Sequence, residues 1–164
     1  MPTRRLFLAF WPDDATRSAV ERARAALFPL SGRPVDPAAL HVTAAFLGDV
    51  DAARIGELRA LAGPVAPFVL RLERLEHWRR PRVLAAVATA QPEALRATID
   101  GLWRRLDRLG FAREARPYRA HVTLVRDSTA LPVRAAWSPV DWPVDSIVLV
   151  ASPGPGGGGY EILG

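Results

Sequence analysis

The chain has 164 residues, of which 49% are apolar and 24% charged, so it is large enough for one globular domain that folds without covalent staples. It contains no cysteine, which excludes disulfides, thiolate metal sites and a cysteine nucleophile. All 22 basic residues are arginine, which excludes lysine chemistry, and the net charge is +5. This excess of arginine suits a polyanionic partner such as nucleic acid, or it reflects genome composition.

The hydrophobic pattern of the first half predicts two strands and two helices in alternation. A buried strand covers 4–11, and an amphipathic helix follows until Pro29 ends it. A second strand covers 40–47, and a second helix begins at Asp51 and ends before Gly63.

The second half continues the interleaving. We expect neighbouring strands at 68–72 and 83–88, the clearest helix over 91–109, and further strands at 118–125, 144–151 and 160–163. The order β-α-β-α-β followed by β-α-β-β predicts one α+β domain over 1–164. The apolar runs are too short to cross a bilayer and no targeting segment opens the chain, so we expect a cytoplasmic protein that is not bound to membranes. We also expect a monomer.

One tripeptide occurs twice: His41-Val42-Thr43 and His121-Val122-Thr123 lie 80 residues apart, each in a predicted strand. Because side chains alternate along a strand, the histidine and threonine of each copy share a face opposite the valine. An imidazole or hydroxyl buried without a partner costs about 1 to 3 kcal/mol. The repeat therefore predicts a polar groove between the two strands.

Two facing imidazoles suit acid and base catalysis, because an ordinary pKa near 6.5 allows one to be neutral and the other charged. Phosphoester cleavage needs a base on one side of phosphorus, an acid on the other and donors to the remaining oxygens. Thr43 and Thr123 are candidates for these donors. The metal alternative is a zinc site, which would need His77 as its third ligand.

These motifs and their flanks resemble the 2H phosphoesterase superfamily and, within it, the bacterial and archaeal RNA 2′,3′-cyclic phosphodiesterases. One His-x-Thr motif alone is unspecific, whereas the pair with its flanks is highly specific. The similar stretches lie at 5–9, 40–48, 80–84, 116–124 and around 142–149.

The resemblance implies a bilobal α+β fold. Each of two intertwined lobes would be an antiparallel sheet backed by helices and would carry one motif, with the active site in the cleft between them. The implied reaction is hydrolysis of an RNA 3′-terminal 2′,3′-cyclic phosphate to a 2′-phosphate, without a metal or other cofactor. Oligonucleotides with such ends, tRNA fragments among them, would be the substrates.

The resemblance also implies roles for single residues. His41 would be the general acid and His121 the general base, while Thr43, Thr123 and Arg126 would bind phosphate. Strand parity leaves the face of Arg126 ambiguous, so it needs a turn or bulge after Val125 to join the site; otherwise it is a solvated surface arginine.

Residues for the base and sugar are harder to assign. We name Phe7 and Tyr118 as candidates, and we place Phe46 in the core because strand parity puts it opposite His41. The stretch 77–82 is basic and partly aromatic, and it either guides the RNA backbone or forms an exposed connection.

Three other functions remain open. The same acid and base could form a 2′-5′ RNA linkage by the reverse reaction, with a 5′-hydroxyl in place of water. The substrate could be another small cyclic phosphate ester. In a different class, the arginines and aromatic residues could form a non-catalytic RNA-binding module.

Overall fold

The computed structural model of the chain describes residues 2–133, 136–154 and 159–164. The helices are α1 (Asp14–Ala25), α2 (Ile55–Arg59) and α3 (Glu93–Arg108). The strands are β1 (Thr3–Phe10), β2 (Arg33–Pro34), β3 (Val42–Asp51), β4 (Gly63–Leu72), β5 (Arg74–Trp78), β6 (Val83–Val87), β7 (His121–Arg126), β8 (Val140–Ala151) and β9 (Glu161–Ile162). Within these ranges no helix is both long enough and apolar enough to cross a membrane.

The strands form one antiparallel sheet in the order β4-β8-β1-β3-β7-β6-β5, with β2 added to β7 and β9 to β8. The expected α+β class is confirmed. The expectation that 68–72 and 83–88 are neighbouring strands is wrong. β4 pairs with β8, whereas β6 lies between β7 and β5. The strand β5 was not predicted from the sequence.

The helices cover one face of the sheet and form the core with it. Fully buried residues include Leu8 of β1, Val20 of α1 and Leu106 of α3, all in one hydrophobic cluster. Burying a side chain of this size contributes about 1.5 to 3 kcal/mol. Helix α1 begins where the Asp13 carboxylate accepts a hydrogen bond from the Thr16 N–H at 2.7 Å. The opposite face of the sheet carries a smaller apolar cluster, in which Phe7, Ala9 and Val150 are buried.

The sheet has two halves that meet at a single residue pair. β3 belongs to the half that contains β1, β8 and β4, and β7 belongs to the half that contains β6 and β5. In the described chain, the ladder between β3 and β7 consists of Val42 opposite Val122. Both repeated tripeptides therefore lie at the seam between the halves.

Candidate active site

The strand register brings the four polar side chains of the repeated motifs together. With Val42 opposite Val122 in an antiparallel pair, His41 lies across from Thr123 and Thr43 lies across from His121. The two valines are buried in the core, so their four neighbours share the opposite face, which we call the motif face. Diagonal neighbours of this kind are about 7 to 8 Å apart. The two imidazoles are also close enough for the charge of His121 to act on His41, so one small ligand could contact both.

Each motif is followed by a β-bulge at the equivalent position. The register of β3 on β1 shifts at Ala44, and that of β7 on β6 shifts at Leu124. One extra residue reverses the alternation of the side chains that follow it. The burial pattern is accordingly the same over 41–46 and 121–126: half-buried, buried, half-buried, buried, buried, exposed. Phe46 and Arg126 are the two exposed residues, and both return to the motif face.

The bulge settles the ambiguous face of Arg126. A bulge is present as the prediction required, but it precedes Val125 instead of following it. The Arg126 side chain is exposed, and its Nη2 lies 3.5 Å from the Tyr160 hydroxyl, which places it near His41.

The prediction that Phe46 lies in the core is wrong. Its side chain is 44% exposed, and the guanidinium carbon of Arg5 lies 5.0 Å from the ring centroid. Strand parity failed because it assumes an unbroken ladder, and the bulge at Ala44 breaks it.

Both histidines are held in the same way. His41 Nδ1 lies 2.8 Å from the Ala39 carbonyl oxygen, and His121 Nδ1 lies 2.9 Å from that of Arg119. A carbonyl oxygen only accepts hydrogen bonds, so Nδ1 carries the proton in each neutral ring. Nε2 is then the nitrogen that each histidine has available for a substrate.

The His41 ring lies among three aromatic side chains. Its centroid is 4.8 Å from that of Phe7 and 5.4 Å from that of Trp11, whose plane is within 4° of parallel. Tyr160 approaches edge-on at 5.2 Å. Sequence reasoning missed Trp11 and Tyr160. Trp11 directly follows β1 and is an even number of residues from Phe7, so strand alternation would have placed both on one face. Tyr160 follows a glycine-rich stretch whose sequence has no such alternation.

These surroundings change the proton affinity of His41. Burial lowers its pKa from 6.5 to about 4, and the positive charges of Arg126 and His121 act in the same direction. The hydrogen bond to the Ala39 carbonyl opposes them. Burial also lowers the pKa of His121. In the free protein both imidazoles are therefore neutral at pH 7.

The His121 ring has its own group of neighbours on β5. Trp78 contacts it edge-on at 4.5 Å. Glu76 accepts hydrogen bonds from Trp78 Nε1 at 2.9 Å and from the Arg119 guanidinium at 2.8 Å, and these bonds, that of Arg119 foremost, lower the pKa of the carboxyl group. This network fixes the indole beside the imidazole.

His77 does not belong to the site. In the β5–β6 ladder it alternates with Glu76 and Trp78, so it faces away from His121, and its Nε2 lies 2.8 Å from the Ser128 carbonyl oxygen. The three-histidine zinc site considered from the sequence therefore lacks its third ligand. Among the residues that the structure describes, no three His, Asp or Glu side chains cluster to hold a metal.

The two candidates for base and sugar contacts are occupied within the protein. Phe7 is 4% exposed and packs against His41. The Tyr118 hydroxyl donates to the Thr43 carbonyl oxygen at 2.7 Å, and burial raises the pKa of the phenol. The basic stretch 77–82 contains the exposed turn between β5 and β6, where Arg82 lies 3.9 Å from the Asp127 carboxylate.

The fold and the paired motifs define a two-histidine phosphoesterase, and comparison with known proteins agrees. Residues 11–155 match the 2′-5′ RNA ligase superfamily. The RNA 2′,3′-cyclic phosphodiesterase of Escherichia coli is 35% identical over 76% of this chain and 73% of its own, and the Thermus thermophilus protein of that name is 30% identical over 97% and 87%. The crystal structure of E. coli LigT complexed with 3′-AMP superposes with a TM-score of 0.80 at 31% identity, covering 99% of this chain and 97% of the other.

The chain therefore belongs to the 2′-5′ RNA ligase superfamily of 2H phosphoesterases. This confirms the resemblance drawn from the two motifs.

Proposed function

We propose that the protein hydrolyses the 2′,3′-cyclic phosphate at the 3′ end of RNA to a 2′-phosphate. The observation that carries the proposal is the pairing of Val42 with Val122. This pairing puts two histidines and two threonines on one face as direct or diagonal neighbours, so that they can contact the same phosphate. The names of the E. coli and T. thermophilus relatives support the same reaction. The 3′-AMP in the LigT structure supports a nucleotide ligand.

In the proposed mechanism His121 is the general base. Its unprotonated Nε2 removes a proton from water as the water oxygen bonds to phosphorus, opposite the 3′-oxygen. His41 is the general acid, and its Nε2 proton passes to the departing 3′-oxygen as the bond between that oxygen and phosphorus breaks. The phosphate remains on the 2′-oxygen, so atoms and charge balance.

The acid role asks more of His41 than of a solvated histidine. Because its pKa is about 4 in the free protein, His41 must gain a proton when the substrate binds. A cyclic phosphate diester brings one negative charge to the ring, and a nearby opposite charge favours the protonated form. Thr43, Thr123 and Arg126 are the proposed ligands of the other phosphate oxygens, where Arg126 offers a charged fork of donors.

Phe46 supports an RNA strand rather than a small cyclic ester as the substrate. Its exposed ring lies on the motif face, and aromatic stacking of a base contributes about 1 to 3 kcal/mol in single-stranded recognition. Phe7 and Tyr118, proposed from the sequence for base and sugar, are held by His41 and Thr43, so Phe46 is the accessible ring.

The test uses 2′,3′-cyclic AMP, with the product identified by phosphorus NMR. His41→Ala and His121→Ala should each lower kcat by about a hundredfold or more, which is the usual contribution of acid–base catalysis. His77→Ala is the matched control, since it removes an imidazole from the other face, and it should retain full kcat. Absence of hydrolysis by the unaltered protein, or an equal loss in His77→Ala, would contradict the proposal.

A ligase activity is the second candidate, because the matching family carries the description 2′-5′ RNA ligase. In that reaction a 5′-hydroxyl replaces water and the same two histidines act. Incubation with a cyclic-phosphate oligonucleotide, with and without a 5′-hydroxyl strand, separates the two: ligation lengthens the product and hydrolysis does not.

A binding module without catalysis predicts a different response. Arginine substitutions would then weaken RNA affinity in a salt-dependent way, and the histidine variants would change little. The monomeric state, the cytoplasmic location and tRNA fragments as natural substrates stay predictions.

A further inference from the structure

Arg24 is a buried cation on α1 that the catalytic proposal does not use. It is 9% exposed, and its Nη1 donates to the Val35 carbonyl oxygen at 2.7 Å and to the Leu124 carbonyl oxygen at 3.0 Å. These partners are neutral carbonyls instead of carboxylates. Burial of the guanidinium carries a desolvation cost, which lowers the pKa of Arg24, while the negative charges of Glu21 and Asp36 act in the opposite direction. We therefore ask what the two hydrogen bonds of Arg24 hold in place.

One of its two partners is the residue at the bulge after the second motif. Leu124 is where the register of β7 on β6 shifts, and its carbonyl oxygen also accepts a hydrogen bond from the Val35 N–H at 2.9 Å. Arg24 therefore hydrogen-bonds both residues of the Val35–Leu124 contact. A bulge disrupts the ladder locally, so its conformation depends on such partners from outside the strand pair.

The segment that Arg24 ties to the bulge lies against the backbone of Arg126. β2 pairs Arg33 with Arg126 and Pro34 with Val125. At Gly32, whose φ is +93°, an added Cβ would lie 2.3 Å from the Arg126 carbonyl oxygen, so this turn packs directly on that residue. Arg24 is thus connected to Arg126 by its hydrogen bonds to Val35 and Leu124 and by the pairing of β2 with β7.

The first motif has a counterpart to this arrangement. There the Tyr118 hydroxyl donates to the Thr43 carbonyl oxygen, one residue before the bulge at Ala44. A side chain from elsewhere in the chain thus binds a carbonyl oxygen next to the first bulge and at the second. The donor is neutral in the first case and charged in the second.

We propose that Arg24 is a positioning residue that keeps Arg126 directed at the phosphate by holding the carbonyl of the bulge residue Leu124. The inference rests on the proposed role of Arg126 as a phosphate ligand. Arg24 acts through the backbone of β7 and not by contact with the substrate.

The test is a double-mutant cycle on hydrolysis of 2′,3′-cyclic AMP, with Arg24→Met, Arg126→Ala and the double variant. Methionine keeps an unbranched stem and removes the donors. Misplacement of a binding group by about 1 Å costs up to about a hundredfold, so we expect Arg24→Met to lower kcat/KM by about tenfold or more. In the Arg126→Ala background the same change should cost less than about twofold, because the residue through which it acts is gone.

Two further variants complete the design. Arg22→Met, on an exposed position of the same helix, should leave kcat/KM unchanged. Arg24→Lys keeps charged donors and should recover most of the lost activity. If Arg24→Met does not fold, Arg24→Gln replaces it in the cycle, because glutamine keeps a polar side chain and has no guanidinium.

An equal loss in both backgrounds would overturn the inference, since Arg24 would then act through stability or another residue. No loss in either background would overturn it as well. If the unaltered protein does not hydrolyse the substrate, the proposed function fails by itself. The cycle is then run on the affinity for inorganic phosphate, measured by calorimetry, where additive effects would refute the role of Arg24.

Discussion

Removal of the Trp11 indole should return proton affinity to His41. Burial is the main cause of the low pKa of this histidine, and the parallel indole at 5.4 Å is part of what buries it. Trp11→Ala opens that side of the ring to water, while Phe7 and Tyr160 still cover other sides. The pKa should therefore rise from about 4 toward 6.5 without reaching it.

The size of the effect follows from the two limiting values. With a pKa of about 4, about a tenth of His41 is protonated at pH 5. If the variant's pKa is about 5 or higher, at least about half is protonated at that pH, which corresponds to about 1.4 kcal/mol of differential stabilisation. A change of this size is well within reach of a direct titration.

The assay is a proton–carbon NMR titration of the histidine rings. The chain has three histidines, so one glutamine variant for each assigns every signal. Trp78→Ala is the matched control, because its indole contacts His121 at 4.5 Å: it should raise the pKa of His121 and leave that of His41 in place. A wild-type His41 that titrates near 6.5, or one that Trp11→Ala does not move, would refute the reasoning.

Further predictions concern stability and substrate chemistry. The folded-state pKa of His41 lies below its unfolded value of 6.5, so the unfolded chain binds more protons between about pH 4 and 6.5 and stability falls as the pH drops through that window. Urea unfolding at pH 7 and 4.5 should show a smaller fall for His41→Gln, and an equal fall would contradict the cause given. A substrate with sulfur at the 3′ position has a leaving group that needs no acid, so it should restore turnover to His41→Ala but not to His121→Ala; rescue of both would reject the assignment of acid and base. Phe46→Ala should weaken binding of a cyclic-phosphate oligonucleotide by about tenfold, the equivalent of one stacking contact, and an unchanged Kd in fluorescence anisotropy would remove it from the RNA site. Hydrolysis should persist in EDTA, and a loss that added zinc restores would require a metal site.

Much of the chemistry could be predicted from local sequence. The repeated His-Val-Thr named all four motif residues, and alternation along a strand correctly placed each histidine with its threonine. The 91–109 helix was equally clear, because Leu95, Ile99, Leu102 and Leu106 recur at helical spacing and are all buried. Such patterns repeat within a few residues and need no knowledge of the partner strand.

Pairing between distant strands could not be predicted in this way. The opposition of Val42 and Val122 creates the site, and it depends on how two halves of the chain meet. β5 was missed, and with it the separation of β4 from β6.

The residues after each threonine show most clearly which features could not be predicted from the sequence. Strand alternation predicted that Phe46 lies in the core and did not decide which face Arg126 occupies. The structure places both side chains on the motif face. A bulge exists only relative to the ladder of a neighbouring strand, so nothing in the strand's own sequence announces it. The motifs and most elements were determined by sequence alone, while tertiary structure decided which side chains lie on the motif face, because strand pairing and bulges depend on contacts between distant parts of the chain.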